Sequence, residues 1–178
     1  MDNTIRHFCD SHQLLEIYTN PDDSDKFGVG YIVACSDNEF LVHSFQENDL
    51  DDGYFVMDTD FVYLIRHNTI YLNNMRQFIK PRADKYDLPR GYWSELDLYN
   101  VVLNLCQQEH LMAVVRLECG LGLIGWVVNV GNEVIELDEV DIDGMPDGTA
   151  YIRLEEVKLV GFGGIEERRR TILASKKR

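Results

Sequence analysis

The stretch DDGYFVMDTDFVYLIRHN at positions 51–68 is written again as PDGTAYIRLEEVKLVGFG at positions 146–163. Each copy holds an Asp-Gly turn, a short apolar strand, an acidic pair and a second short strand. The spacing is 95 residues, and it extends upstream: Gly30-Tyr31-Ile32-Val33 falls on Gly125-Trp126-Val127-Val128, and Phe40 and Val42 fall on Ile135 and Leu137. Further upstream the spacing becomes 97. There Leu14 to Tyr18 match Leu111 to Val115, and Cys9 falls on Cys106. The first loop is therefore expected to be two residues longer in copy one. A match held in turn residues and apolar class rather than identity is the mark of a duplicated structural unit. A chain of this kind folds as two similar small bodies. Each is marginal alone at roughly 65 residues.

Each copy reads as one helix followed by five strands. The helices are expected at about 3–13 and 95–109. In the second, Ser94 stands where an N-cap belongs, with Asp97 three residues on; Leu96, Tyr99, Leu103 and Cys106 follow at helical spacing. The strands are expected at 14–19, 27–35, 39–46, 54–58 and 61–66 in copy one. In copy two they are expected at 111–117, 121–130, 133–140, 149–153 and 156–160. The long second strand carries an interior glycine, Gly30 or Gly125, which marks a sharp bend, a bulge or a close backbone approach. IYLNNMRQFIK, after copy one, and IEERRRTILASKKR, at the C-terminus, read as helices. The division is 1–79 for the first barrel with its flanking helices, 80–93 for a basic linker stiffened by Pro81 and Pro89, and 94–178 for the second barrel with a basic tail. Unpaired strand edges are a liability, so the two copies are expected to pack together or to pair edge to edge.

A helix and five bent strands resemble the Sm-like (LSm) superfamily, a branch of the SH3-like small barrels. The resemblance covers about 3–66 and 95–161. Gly30, Asp37 and Phe40 match the first family motif, as do Gly125 and Asn132; Leu41 and Glu136 stand where the family has Asn. Ile152-Arg153 match the start of the second motif, with Leu154-Glu155 in place of Gly-Asn. Ile65-Arg66-His67-Asn68 also looks like that motif, one strand later than the repeat register places it. The chain is also similar to a group of small bacterial proteins. The resemblance implies two tandem five-stranded small barrels, mainly β with short helices, and it implies RNA binding inside a ring.

Charge points elsewhere. The net is −14 over 178 residues. Residues 1–63 hold fourteen acidic side chains against two basic, and 93–165 hold thirteen against three. Residues 64–92 and 166–178 each hold six basic against two acidic. A field this negative repels phosphate backbones and welcomes a basic partner. No run of about 18 apolar residues reads as a membrane helix. The N-terminal stretch lacks a basic region followed by an apolar one. A cytoplasmic protein is expected.

No pattern announces a reaction. The four cysteines form no C-x-x-C pair, and the five histidines form no H-E-x-x-H. The acidic loops 49–53 and 141–144 hint at calcium but lack the EF-hand glutamate. GLGLIG at 120–125 opens a strand rather than a helix, so it is not a dinucleotide fingerprint. A non-enzyme without cofactor or metal is expected. Tyr31, Tyr54, Tyr63 and Trp126, aromatics interleaved with carboxylates, are the candidate protein-binding residues. Arg153, Arg168, Arg169 and Arg170 are the candidate nucleic-acid contacts. Three readings follow: a protein-interaction or assembly module that forms homo-oligomers through strand edges, an RNA-binding Sm-like protein, and an acidic immunity or antitoxin-type protein that binds a basic partner.

Overall fold

The computed structural model describes residues 1–23, 25–46, 50–79 and 86–176. Asp49, Pro81, Lys177, Arg178 and the 80–85 part of the expected linker lie outside the described residues. Among the described residues the chain is mainly β with four helices. Among the described residues no helix is long and apolar enough to cross a membrane. Two compact units are present.

The first unit comprises residues 1–52 and 58–96. Helix α1 (Asp2–Ser11) buries Ile5, Phe8 and Cys9, whose spacing puts them on one face. Strands β1 (Leu14–Tyr18), β2 (Gly28–Cys35) and β3 (Glu39–Gln46) follow, then β4 (Leu50–Asp58), β5 (Leu64–His67), α2 (Ile70–Arg76) and the two-residue β6 (Gly91–Tyr92). Hydrogen-bonded ladders run antiparallel in the order β3, β2, β1, β5. β1 carries a ladder on each side and is buried at every position, so it reads as a continuous apolar run interrupted by Glu16. α2 starts at a Thr69 cap, whose hydroxyl accepts from the Leu72 amide at 3.2 Å. It lays Leu72 and Met75 on Leu14, Val29 and Phe45. β6 adds to β2 in parallel, so the C-terminal end of the expected linker belongs to this unit.

The second unit comprises residues 53–57 and 97–178. It holds α3 (Leu98–Gln108), β7 (Met112–Leu117), β8 (Gly122–Val130), β9 (Val134–Val140), β10 (Pro146–Arg153), β11 (Val157–Phe162) and α4 (Ile165–Ser175). The ladder order is β10, β9, β8, β7, β11. β11 then pairs on its other side with the part of β4 that lies in this unit: Tyr54 opposes Phe162, and Met57 opposes Leu159. A strand of the first repeat thus completes the sheet of the second. In neither unit do the described ladders close into a barrel.

The repeat holds in backbone detail. The Thr59 amide donates to the Asn38 carbonyl at 2.7 Å, and 95 residues on the Leu154 amide donates to Glu133 at 2.8 Å. Both second strands bulge at the same step, after Ile32 and after Val127. The equivalence runs past the fifth strand: Asn68 and Gly163 are both left-handed (φ 53° and 69°), and the helices after them start at Ile70 and Ile165. Two expectations change. The first-strand spacing is 98, because Tyr31 pairs with Leu14 and Trp126 with Met112, so the loop in copy one is three residues longer. Helix α3 begins at Leu98 with Asp97 as its cap, Oδ1 accepting from Asn100 N at 2.8 Å, rather than at Ser94.

Candidate functional site

The interior glycines set the curvature on which each site rests. A Cβ on Gly30 would strike the His43 carbonyl, and one on Gly125 would strike the carbonyl of Asp138, the equivalent residue. Only a glycine admits this close approach of neighbouring strands.

Beyond the bulge, the second unit presents an outward face of acids and aromatics. Along β9, Ile135 and Leu137 are buried while Val134 and Asp138 are exposed, the period of two expected of a half-buried strand. Pairing carries the pattern across the sheet: Trp126 opposes Asp138 and Asp138 opposes Thr149; Asn129 opposes Glu136 and Glu136 opposes Tyr151. The Thr149 hydroxyl donates to Asp138 at 2.7 Å, and the Tyr151 hydroxyl donates to Glu136 at 3.2 Å. That hydrogen bond to a carboxylate raises the Tyr151 pKa above the ordinary phenol value, and the Glu136 charge adds to the effect. Tyr151 is 71 % exposed. It forms one wall of a shallow concavity of about 430 Å³ shared with Asn129, Asn132, Glu133 and Glu136. Two carboxylates, two amides and an aromatic face suit a cationic side chain better than an anion.

The four aromatic candidates divide between the units, Tyr31 and Tyr63 in the first and Tyr54 and Trp126 in the second. Tyr31 packs against the first unit's core, edge-on to Phe45 at 5.8 Å. Tyr54 is buried and stacks on Phe162 at 5.4 Å. Tyr63 is 41 % exposed and meets Tyr18 edge-on. Trp126 lies on the outward face described above, with His110 stacked on it at 4.4 Å.

The arginines are engaged within the chain. Arg153 reaches Glu155 at 3.4 Å, and Arg169 reaches Glu166 at 3.6 Å. Arg168 donates to the Gly163 carbonyl at 2.6 Å, and Arg170 donates to the Val140 carbonyl at 2.5 Å.

Glu136 and Asp138 are the residues that sequence reasoning passed over. Their signal was the alternation in VIELDEV. A second unforeseen feature is Glu16, only 2 % exposed. It accepts from Tyr18 at 2.9 Å and Thr69 at 2.5 Å and pairs with Arg66 at 3.3 Å. This satisfied network ties β1, β5 and the start of α2 together. The acidic loop at 141–145 spends its first carboxylate on itself: Asp141 Oδ1 accepts from the amides of Asp143 and Met145 at 2.9 and 2.8 Å. Among the described residues no three His, Cys, Asp or Glu side chains are grouped to hold a metal ion. No family model matches the chain, and no curated protein sequence matches it.

Proposed function

We propose that the chain is a non-enzymatic assembly and interaction module built from two Sm-like small-barrel repeats, and that copies join by strand pairing. The observation that carries this reading is the ladder between β11 and Tyr54–Met57, the fourth strand of one repeat beside the fifth strand of the other. The two strands that correspond to these, β10 and β5, have a ladder on one side only among the described residues. Transferring the register by 95 residues sets Leu64 against Ile152, Ile65 against Tyr151, Arg66 against Ala150 and His67 against Thr149. Bulk is complementary in each case: Phe55 opposes Gly161 within the chain, and Arg66 would oppose Ala150 between chains. The pairing would cover the exposed rings and alkyl groups of Tyr151 and Leu64.

The test is the solution mass by light scattering across concentration. The wild-type chain is expected to associate. Ala150→Arg, which sets two arginines face to face, is expected to stay monomeric. A wild-type chain that is monomeric at every concentration would sink the assembly reading.

The outward face of Trp126, Glu136, Asp138 and Tyr151 favours a second reading, docking of a basic protein, which includes the immunity-type alternative. A pull-down with a basic partner, lost on Tyr151→Ala, would support it. The RNA-binding reading draws on Arg153, Arg168, Arg169 and Arg170, each already held by an acceptor in this chain, and it carries less.

A further inference from the structure

Cys9 lies on α1 and Cys35 ends β2, and both are free and buried. The two thiols interact with each other, and the fold sets them side by side: Arg6, one turn before Cys9 on α1, lies over the ring of Tyr92, which pairs with Cys35. The pair belongs to the first repeat alone: Cys106 matches Cys9, but Val130 stands 95 residues beyond Cys35. A short strap covers it. Gly91 and Tyr92 pair with Ala34 and Cys35, and the Trp93 amide donates to the Cys35 carbonyl at 2.9 Å. The strap is pinned at Tyr92. The Tyr92 hydroxyl donates to Asp37, and the Arg6 guanidinium lies over the Tyr92 ring at 3.6 Å.

We propose that Cys9 and Cys35 form a reversible disulfide, a peroxide-sensitive modification site beneath the strap. The chemistry balances with hydrogen peroxide as the oxidant. The Cys9 thiolate attacks one peroxide oxygen and breaks the O–O bond; hydroxide leaves, takes up a proton as water, and Cys9 becomes a sulfenic acid. The Cys35 sulfur then attacks the Cys9 sulfur, the S–O bond breaks, and the second oxygen leaves as water with the Cys35 proton. Two thiols and one peroxide give one disulfide and two waters. The roles follow from the local chemistry. The hydrogen bond from Cys35 lowers the Cys9 pKa against the opposing effect of burial, and Cys35 itself is pushed up. Cys35 already interacts with Cys9, so the sulfenic acid has its resolving partner at hand.

Native full-length protein treated with hydrogen peroxide, alkylated in denaturant and mapped by peptide mass spectrometry tests this. The exposed Cys119 reports that the oxidant was active. The expected product is a Cys9–Cys35 linked peptide, 2 Da lighter than its two reduced parts and restored by dithiothreitol. In Cys35→Ser, dimedone is expected to trap Cys9 as the sulfenic acid. Tyr92→Ala, which loosens the strap, is expected to speed the linkage several-fold; an unchanged rate would remove the strap from the proposal. Oxidised Cys119 with both buried thiols still reduced, or Cys9 recovered as a sulfinic acid with Cys35 free, overturns it.

Discussion

At Gly30 and Gly125 a missing methyl group decides how tightly two strands approach, and both repeats use it against the equivalent carbonyl, of His43 and of Asp138. The conflict at Gly125 is with backbone, which cannot rotate away as a side chain would. Gly125→Ala is therefore expected to destabilise the protein by about 3 kcal/mol or more, at the upper end of overpacking costs. Urea unfolding reads this directly, and a loss under about 1 kcal/mol would mean that the strands relax apart. A second residue carries a pH signature. Burial pushes the Cys106 thiol up to about 12 from its ordinary 9.0, and the charge of Glu167 adds to the rise. The unfolded thiol ionises near 9 while the folded one holds its proton, so unfolding releases a proton in this window. The contribution to stability is full below pH 9 and is lost as pH rises toward 12, to a limit of about 4 kcal/mol. Cys106→Val is expected to flatten the alkaline fall in urea midpoint between pH 8 and 11. A variant that tracks the wild type through that range would place the alkaline sensitivity elsewhere.

Elements were legible where a local pattern dictates them. Glu39–Gln46 is the strand expected at 39–46, and Gly28–Cys35 agrees with the expected 27–35 to within a residue. What one residue's neighbours cannot reveal is which strand lies beside it. β4 was expected to begin at residue 54 and begins at Leu50, and its Tyr54–Met57 part pairs beyond its own hairpin. Gly53, left-handed at φ 75°, reads locally as a turn residue. In the fold it sits where a Cβ would strike the backbone of residues 162–164. The same blindness applies to the aromatic candidates. Tyr54 alternates with acids in sequence as an exposed ring would, yet it is buried against Phe162. Burial by a strand 108 positions away (162 − 54) leaves no periodic trace. The Glu16 network was hidden likewise, since Arg66 and Thr69 reach it only once β5 lies on β1. This strand exchange has a direct test. Residues 97–178 produced alone lack the partner of β11 and leave the edge bearing Val160 and Phe162 open. An open apolar edge invites self-association. The fragment is expected to aggregate or run as an oligomer, and a synthetic peptide of residues 50–58 is expected to convert it to a soluble complex. A monomeric fragment indifferent to the peptide would show that Tyr54–Met57 is dispensable to the unit.

Across the whole molecule, a net charge of −14 works against compaction and against association alike. Self-repulsion weakens as salt shortens the Debye length, from about 30 Å at 0.01 M to about 10 Å at 0.1 M. Moving from 10 mM to 500 mM sodium chloride is therefore expected to raise the thermal midpoint by a few degrees. Chloride is the informative salt, because sulfate strengthens apolar burial by itself. The same reasoning gives the sign that separates the functional readings. Two copies of this chain carry like charge, so pairing of β10 with β5 must strengthen as salt rises. A basic protein on the face of Glu136, Asp138 and Tyr151 must bind more weakly as salt rises, because its attraction is the term that is screened. RNA held by Arg168 and its neighbours would weaken still more steeply, since bound phosphates release counterions on binding. Sedimentation or light scattering across that salt range is expected to show a mass that grows with ionic strength. A mass that falls instead would remove strand-edge self-association and leave attraction to an oppositely charged partner as the force that builds the complex.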